Sequence, residues 1–313
     1  MEDREDLAVV FGIALEALGR ANTDVIVLDS DIADSCQTEG FRRAFPDRSF
    51  DLGVAEQSLP TFAAGLALCG KIPICNSFAV FAVTRGLDMI RQSVCYNRAN
   101  VKIVGHSAGQ TMGYTGPSHH TVEDVAALRA LPGMAIVTPC DAVELRQMVA
   151  AVAAWDGPVY MRLPRVSVPP VHDPSYRFQM GRTDRLAEGH EVTLYASGDV
   201  VHLALTTREE LAAEGISARV VNVPCLKPLS DEEIVAQGRD TQAAVAIEDH
   251  SVHGGLGGAI AEAYARWLRK PLARIGIPDT FTESDDYNRL REKYGISVPA
   301  IRRAAAELLK SNR

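Results

Sequence analysis

The chain has 313 residues, 47% of them apolar and 23% charged, with a net charge of -8. That is ordinary globular composition, and the acidic balance excludes a nucleic-acid surface, which needs a basic patch. At roughly 150 residues per domain, the length predicts two domains.

The N-terminal stretch "MEDREDLAVV" is acidic and lacks a signal-peptide pattern. The most apolar run, Leu59 to Val83, is broken by Gly70-Lys71 and Pro73. A spanning helix needs about 20 uninterrupted apolar residues, so no membrane segment is expected. Cys36, Cys69, Cys75, Cys95, Cys140 and Cys225 form no C-x-x-C pair. They read as small core residues in a reduced, cytoplasmic setting, with no metal site of their own.

In chain order, an amphipathic helix at about 7–18 precedes a strand at "DVIVLDSD" (from Asp24). Strands follow at "KIPICNSF", "NVKIVGHS", "GMAIVTP" and "GPVYMRLP". Helical patterns lie between them at 57–68, 84–96, 122–130 and 142–154. Apolar strands alternating with helices predict a mainly parallel sheet covered on both faces. From Pro164 the chain carries four prolines and loses its period, which marks a linker. The alternation then resumes, with strands at "EVTLYASG", "ARVVNVP" and "AAVAIEDH" and helices at 200–214, 257–268 and 299–309. The expected organisation is a first α/β domain over 1–170, a linker over 171–187 and a second α/β domain over 188–313.

Ligands of open parallel sheets bind beyond the carboxyl ends of the strands. Those ends carry Asp29-Ser30-Asp31, Asn76-Ser77-Phe78, Gly105-His106-Ser107 and Arg162 to Arg165. Glu56 stands alone in the nearly uncharged "DLGVAEQSLP". At a helix start it would answer the helix dipole. In an apolar site its carboxyl would instead be raised, and able to share a proton. Phe78 and Phe81, three apart after a strand, are core or a wall for a flat heterocycle. The glycine-rich "GHSAGQTMGYTGPSHH" holds His106, His119 and His120, three of the eight histidines. They lack the spacing of a metal cage and read as donors to phosphate or hydroxyl groups. Beyond them "TVED" has capping-box spacing, with Thr121 as N-cap and Asp124 third. Arg162 and Arg165 suit bidentate phosphate binding. "EDHSVHGGLGGAIAE" runs strand, glycine turn, helix, but Ile260 stands where a dinucleotide fingerprint needs a small residue. It reads as a tight turn with close helix–sheet packing, not a nicotinamide site.

"LGVAEQ", "SFAVF", "GYTGPSHH" and "VYMRLPR" occur together and in the order of one family. The chain resembles the C-terminal two-thirds of transketolase, the pyrimidine-binding domain plus the C-terminal domain, over almost its whole length. The resemblance implies thiamine diphosphate as cofactor. Glu56 would hydrogen-bond its aminopyrimidine nitrogen, favouring the imino tautomer that deprotonates the thiazolium carbon. Phe78 and Phe81 would pack on that ring, and Asp31 would support the cofactor site. His119 would act on the sugar donor, and Arg165, His106, Ser35 and Arg4 would contact its phosphate. The acid that usually precedes "GP" is replaced by Thr115, which leaves the donor sugar open.

No G-D-G…N motif for Mg2+ and diphosphate occurs in the sequence. The resemblance therefore implies a split transketolase. A separate N-terminal subunit would carry the diphosphate-binding domain, in a two-plus-two heterotetramer acting on sugar phosphates. Two rivals share the fold and cofactor: the β subunit of a 2-oxo-acid dehydrogenase and a deoxyxylulose-phosphate-synthase-like enzyme. A catalytically silent scaffold or regulatory homologue is the alternative of another class.

Overall fold

The computed structural model describes residues 4–311. Two α/β units are present, each a mainly parallel sheet covered by helices, as the residue pattern predicts. The larger sheet has seven strands, in the order Cys225–Lys227, Ala135–Val137, Val159–Leu163, Lys102–His106, Ile72–Phe78, Val25–Asp29 and Ser49–Asp51. All pairs are parallel except the first, where Cys225–Lys227 runs antiparallel to Ala135–Val137. That edge strand is lent by the second half of the chain, so the two units share a sheet. The smaller sheet has five strands, in the order Leu272–Ile277, Ala243–Ser251, Val192–Ala196, Ala218–Asn222 and Asp184–Ala187.

The central strands are buried on both faces, as in Val25–Asp29, Lys102–His106 and Val159–Leu163. This is why they read as mainly apolar runs and not as alternating ones. Covering helices bury one stripe each. Leu7–Ala21 presents Leu7, Val10, Phe11 and Leu15 to the sheet and is capped by Asp6, which accepts from Ala8 N at 2.8 Å. Ala142–Ala154 buries Leu145, Met148, Val149 and Val152 and is capped by Asp141, which accepts from Glu144 N at 2.8 Å.

Several elements differ from the sequence expectation. The helix expected at 84–96 starts earlier, as Ala79–Thr84, then breaks into Leu87–Met89 and a π-helical turn, Ile90–Cys95. Its late residues are apolar enough to continue the pattern, but Gly86 lets the backbone turn onto a neighbour. The segment 171–187 ends in the strand Asp184–Ala187, antiparallel to Ala218–Asn222. The predicted capping box is absent. The helix begins at Asp124, and no side chain caps it. Asp124 is fully buried against Arg162, and Thr121 Oγ1 has no hydrogen-bond partner among the described residues. No helix among the described residues is long and apolar enough to cross a membrane.

"EDHSVHGGLGGAIAE" forms the predicted tight turn. Glu248 accepts from Leu256 N at 2.7 Å and from Gly257 N at 2.8 Å. Its own carboxylate thus fills the helix N-terminus where a dinucleotide phosphate would sit. A Cβ at Gly255 would lie 2.0 Å from Glu248 Oε2, so any side chain there would push the capping carboxylate aside.

Candidate active site

The carboxyl ends of the larger sheet gather the candidate residues along one edge. Ile72–Phe78 runs directly into Ala79–Thr84, so Phe78 ends the strand and Phe81 stands in the first turn of the helix, both at that edge. Their ring centroids are 6.3 Å apart. His119 closes the group, with its ring 5.2 Å from Phe81 and 6.2 Å from Phe78, edge-on to both. All three rings are half-buried, so an apolar slot meets a polar tip.

Glu56 is joined to this group through a residue the sequence reading missed. It lies in the turn before the helix Leu59–Leu68, not in the first turn of a longer helix. The residue is 4% exposed. Arg85 Nη1 donates to Glu56 Oε2 at 3.0 Å, and the same guanidinium lies 4.2 Å above the Phe81 ring. Nothing in the sequence spacing marks Arg85, which sits 29 residues from Glu56 and is exposed at the end of an interrupted helix.

Around this centre the remaining expectations fall unevenly. Asp31 is exposed in the left-handed region at φ 62°, held by its N–H to Asp51 Oδ1 at 3.0 Å. Ser35 is half-buried in the turn that follows. Arg165 is exposed, and its guanidinium makes no ion pair among the described residues, while its backbone N–H donates to Thr111 Oγ1 at 3.2 Å. A short ribbon, Glu5–Asp6 with Ser167–Val168, ties the segment that carries Arg4 to the one that carries Arg165. Thr115 is exposed in a single 3-10 turn and donates to Met112 O at 3.0 Å.

Two expectations are corrected. His106 is 2% exposed, packed edge-on against Phe11, and its Nε2 contacts Asn76 Oδ1 at 3.1 Å. The Asn76 amide nitrogen already donates to Leu28 O and Ile74 O, so Nε2–H is the donor to its oxygen. Burial, with help from the Arg165 charge, pushes the imidazole down to about 3. A neutral, enclosed ring with one nitrogen committed offers a phosphate no charge. Arg162 is likewise buried, not a phosphate contact. It donates to both Asp124 oxygens and to the carbonyls of Thr121 and Asp249.

The smaller sheet's contribution is to hold the His119 loop. Gln110 N–H donates to Asp249 Oδ2 at 2.9 Å. His120 is fixed between Thr282 Oγ1 at 2.6 Å and Gly113 O at 3.1 Å. Ser251 N–H donates to Val122 O at 2.7 Å. Tyr287 Oη bonds Asp199 Oδ2, and reaches Asp249 Oδ2 at 3.2 Å. Burial and the Asp199 charge raise Asp249 to about 6.

A second buried cluster sits at the junction of the two units. Cys140, Asp141 and His172 bring metal-type ligand atoms within 4.8 Å of one another. Asp141 Oδ2 already accepts from Val171 N, His172 N and His172 Nδ1, and His172 Nε2 contacts Asp184 Oδ2 at 3.1 Å. With both ring nitrogens bound by carboxylates, the cluster is a charge clamp around an imidazolium.

The family model for the transketolase pyrimidine-binding domain matches residues 5–170. The model for the transketolase C-terminal domain matches residues 181–301. The chain belongs to the transketolase family. A solved transketolase-family structure, described as a split gene transketolase in an inactive beta4 tetramer, is 42% identical. It superposes with a TM-score of 0.92 over 98% of this chain and 99% of that one. The 6-deoxy-6-sulfo-D-fructose transketolase subunit SqwH of Clostridium sp. (strain MSTE9) is 39% identical over 91% of this chain and 88% of its own length. 1-Deoxy-D-xylulose-5-phosphate synthase 1 of Geobacter sulfurreducens is 35% identical over 96% of this chain, which spans 47% of that enzyme.

Proposed function

We propose that this transketolase-family chain is the pyrimidine-binding and C-terminal subunit of a two-chain enzyme dependent on thiamine diphosphate. The enzyme moves a two-carbon ketol unit from a ketose phosphate to an aldose phosphate. The observation that carries this reading is a buried carboxylate, Glu56, joined through Arg85 to the half-buried ring cluster of Phe78, Phe81 and His119.

The residues present fit the pyrimidine half of the cofactor. Two half-buried phenyl rings, tilted 51° to each other, offer apolar faces beside one buried acid. The buried hydroxyls of Ser77 and Ser107, at the same strand ends, have no hydrogen-bond partner among the described residues. When bound, the cofactor supplies the thiazolium carbon that takes up and releases the two-carbon unit. Glu56 holds a hydrogen bond to the ring nitrogen in surroundings that keep water from competing for it. Phe78 and Phe81 orient the ring by stacking, and Asp31 borders the site. His119 faces the donor sugar. Arg165, with Ser35 and Arg4, receives its phosphate, since Arg165 is exposed and its guanidinium makes no ion pair among the described residues. Thr115, short and neutral, stands where the family usually places an acid, so the donor need not be an ordinary pentose phosphate.

A partner subunit with the diphosphate and Mg2+ site completes the enzyme, in a two-plus-two heterotetramer. Support comes from the relatives of matching length, which are named a subunit and a split-gene product. The test is ketol transfer by the purified chain with and without a candidate partner. Activity only in the mixture is expected. Full turnover by this chain alone refutes the two-chain reading.

A further inference from the structure

The Glu56–Arg85 pair does something the ketol-transfer reading leaves unused. Arg85 Nη1 lies 3.0 Å from Glu56 Oε2, and the guanidinium carbon lies 4.2 Å from the Phe81 ring centroid. Gly86 makes this approach possible. A Cβ there would meet Ala82 O at 2.4 Å and Glu56 O at 3.3 Å, so the backbone after Arg85 rests directly on the Glu56 turn.

A guanidinium is planar, carries N–H donors in its plane and stacks on aromatic faces. An aminopyrimidine presented to a carboxylate and stacked on a phenyl ring has the same three properties. Arg85 therefore occupies the two contacts that the ring would use, one carboxylate and one aromatic face. The ends of the pair are unequal: the Glu56 side chain is 4% exposed and the Arg85 side chain 46%. The acid is fixed, while the cation sits on a flexible stem with water on one side. Without a partner, a buried carboxylate is costly, and Arg85 removes that cost while the slot is free.

We propose that Arg85 is a placeholder for the cofactor's pyrimidine ring, pairing Glu56 and covering Phe81 until the ring displaces it toward solvent. The proposal rests on the thiamine reading above. A competing internal ligand lowers apparent affinity by the fraction of time it holds the site. A half-exposed ion pair is weak, so the effect is modest, roughly fivefold.

The experiment is stopped-flow fluorescence and calorimetric titration of thiamine diphosphate with Mg2+ into the assembled two-subunit complex. It compares wild type, Arg85→Met, Arg85→Gln, Glu56→Gln and Arg85→Met/Glu56→Gln. Arg85→Met and Arg85→Gln should each bind the cofactor roughly fivefold faster and tighter, and Arg85→Met should have little effect once Glu56 is Gln. Weaker or slower binding by both single Arg85 variants overturns the proposal, making Arg85 a standing part of the site. An undiminished effect in the Glu56→Gln background also overturns it. No binding by the wild-type complex sinks the thiamine reading itself, which separates the two failures.

Discussion

The clamp at His172 makes stability depend on pH in a direction that the geometry fixes. Burial alone would push this imidazole down. Hydrogen bonds to Asp141 and Asp184 and the charge of Glu144 overcome burial and hold it up, from 6.5 to about 9. The same contacts, against the opposing effect of burial, keep Asp141 below the usual carboxylate value. Among the described residues the facing groups are Cys140, Asp141 and Glu144 from the start of Ala142–Ala154, Asp184 from the smaller sheet and Tyr176, which stacks on the ring at 3.8 Å. A group whose folded value is raised contributes stability that is fully present below its unfolded value and is lost as pH rises through its folded value. Here the window runs from 6.5 to about 9. At 1.36 kcal/mol per pH unit, that window corresponds to about 3 kcal/mol. The assay is urea unfolding of wild type and His172→Gln at pH 6, 7, 8, 9 and 10. The stability difference between the two proteins should shrink by about 3 kcal/mol across the window. A difference that stays constant from pH 6 to 10 refutes the charge-clamp reasoning.

Asp124→Ala leaves the buried Arg162 without its ion-pair partner and should cost about 3–5 kcal/mol in urea unfolding. The double change Asp124→Leu/Arg162→Met should recover most of that loss, because it removes both charges together. Arg165→Ala, in the assembled enzyme, should raise KM for phosphorylated donors by about tenfold or more while leaving unphosphorylated donors little changed, the loss of one charge-assisted pair. Steady-state kinetics on matched donor pairs checks this, and equal damage to both counts against phosphate binding.

The sequence made the fold class legible because burial on both faces leaves its mark on every central strand. Val25–Asp29 and Lys102–His106 are buried throughout and apolar at most of their positions, and each is followed by a helical period. Short edge elements left no such mark. Cys225–Lys227 is three residues long and pairs with a strand far back in the chain, so no local pattern announces it. Asp184–Ala187 is polar and half-buried, and it hides in the proline-marked segment. In the candidate site, Glu56, Phe78, Phe81 and His119 were readable because each stands in a distinctive local context. Arg85 was not, since its meaning comes only from the turn at Gly86 that lays it over Phe81. His106 misled for the same reason in reverse. Its loop position looked open, while Asn76 and Phe11, 30 and 95 residues earlier, enclose it. "TVED" had the right spacing for a cap, but a buried arginine claims Asp124 first.

The central claim is that Glu56 acts on the pyrimidine ring of thiamine diphosphate. The most direct measurement is the exchange rate of the cofactor's thiazolium C2 proton, followed by NMR after quenching, in the complex of this chain with its partner. The wild-type complex should speed exchange far above that of free cofactor, and Glu56→Gln should lower the rate by about a hundredfold or more while the cofactor remains bound. Exchange that is equally fast with glutamine at position 56 would contradict the account.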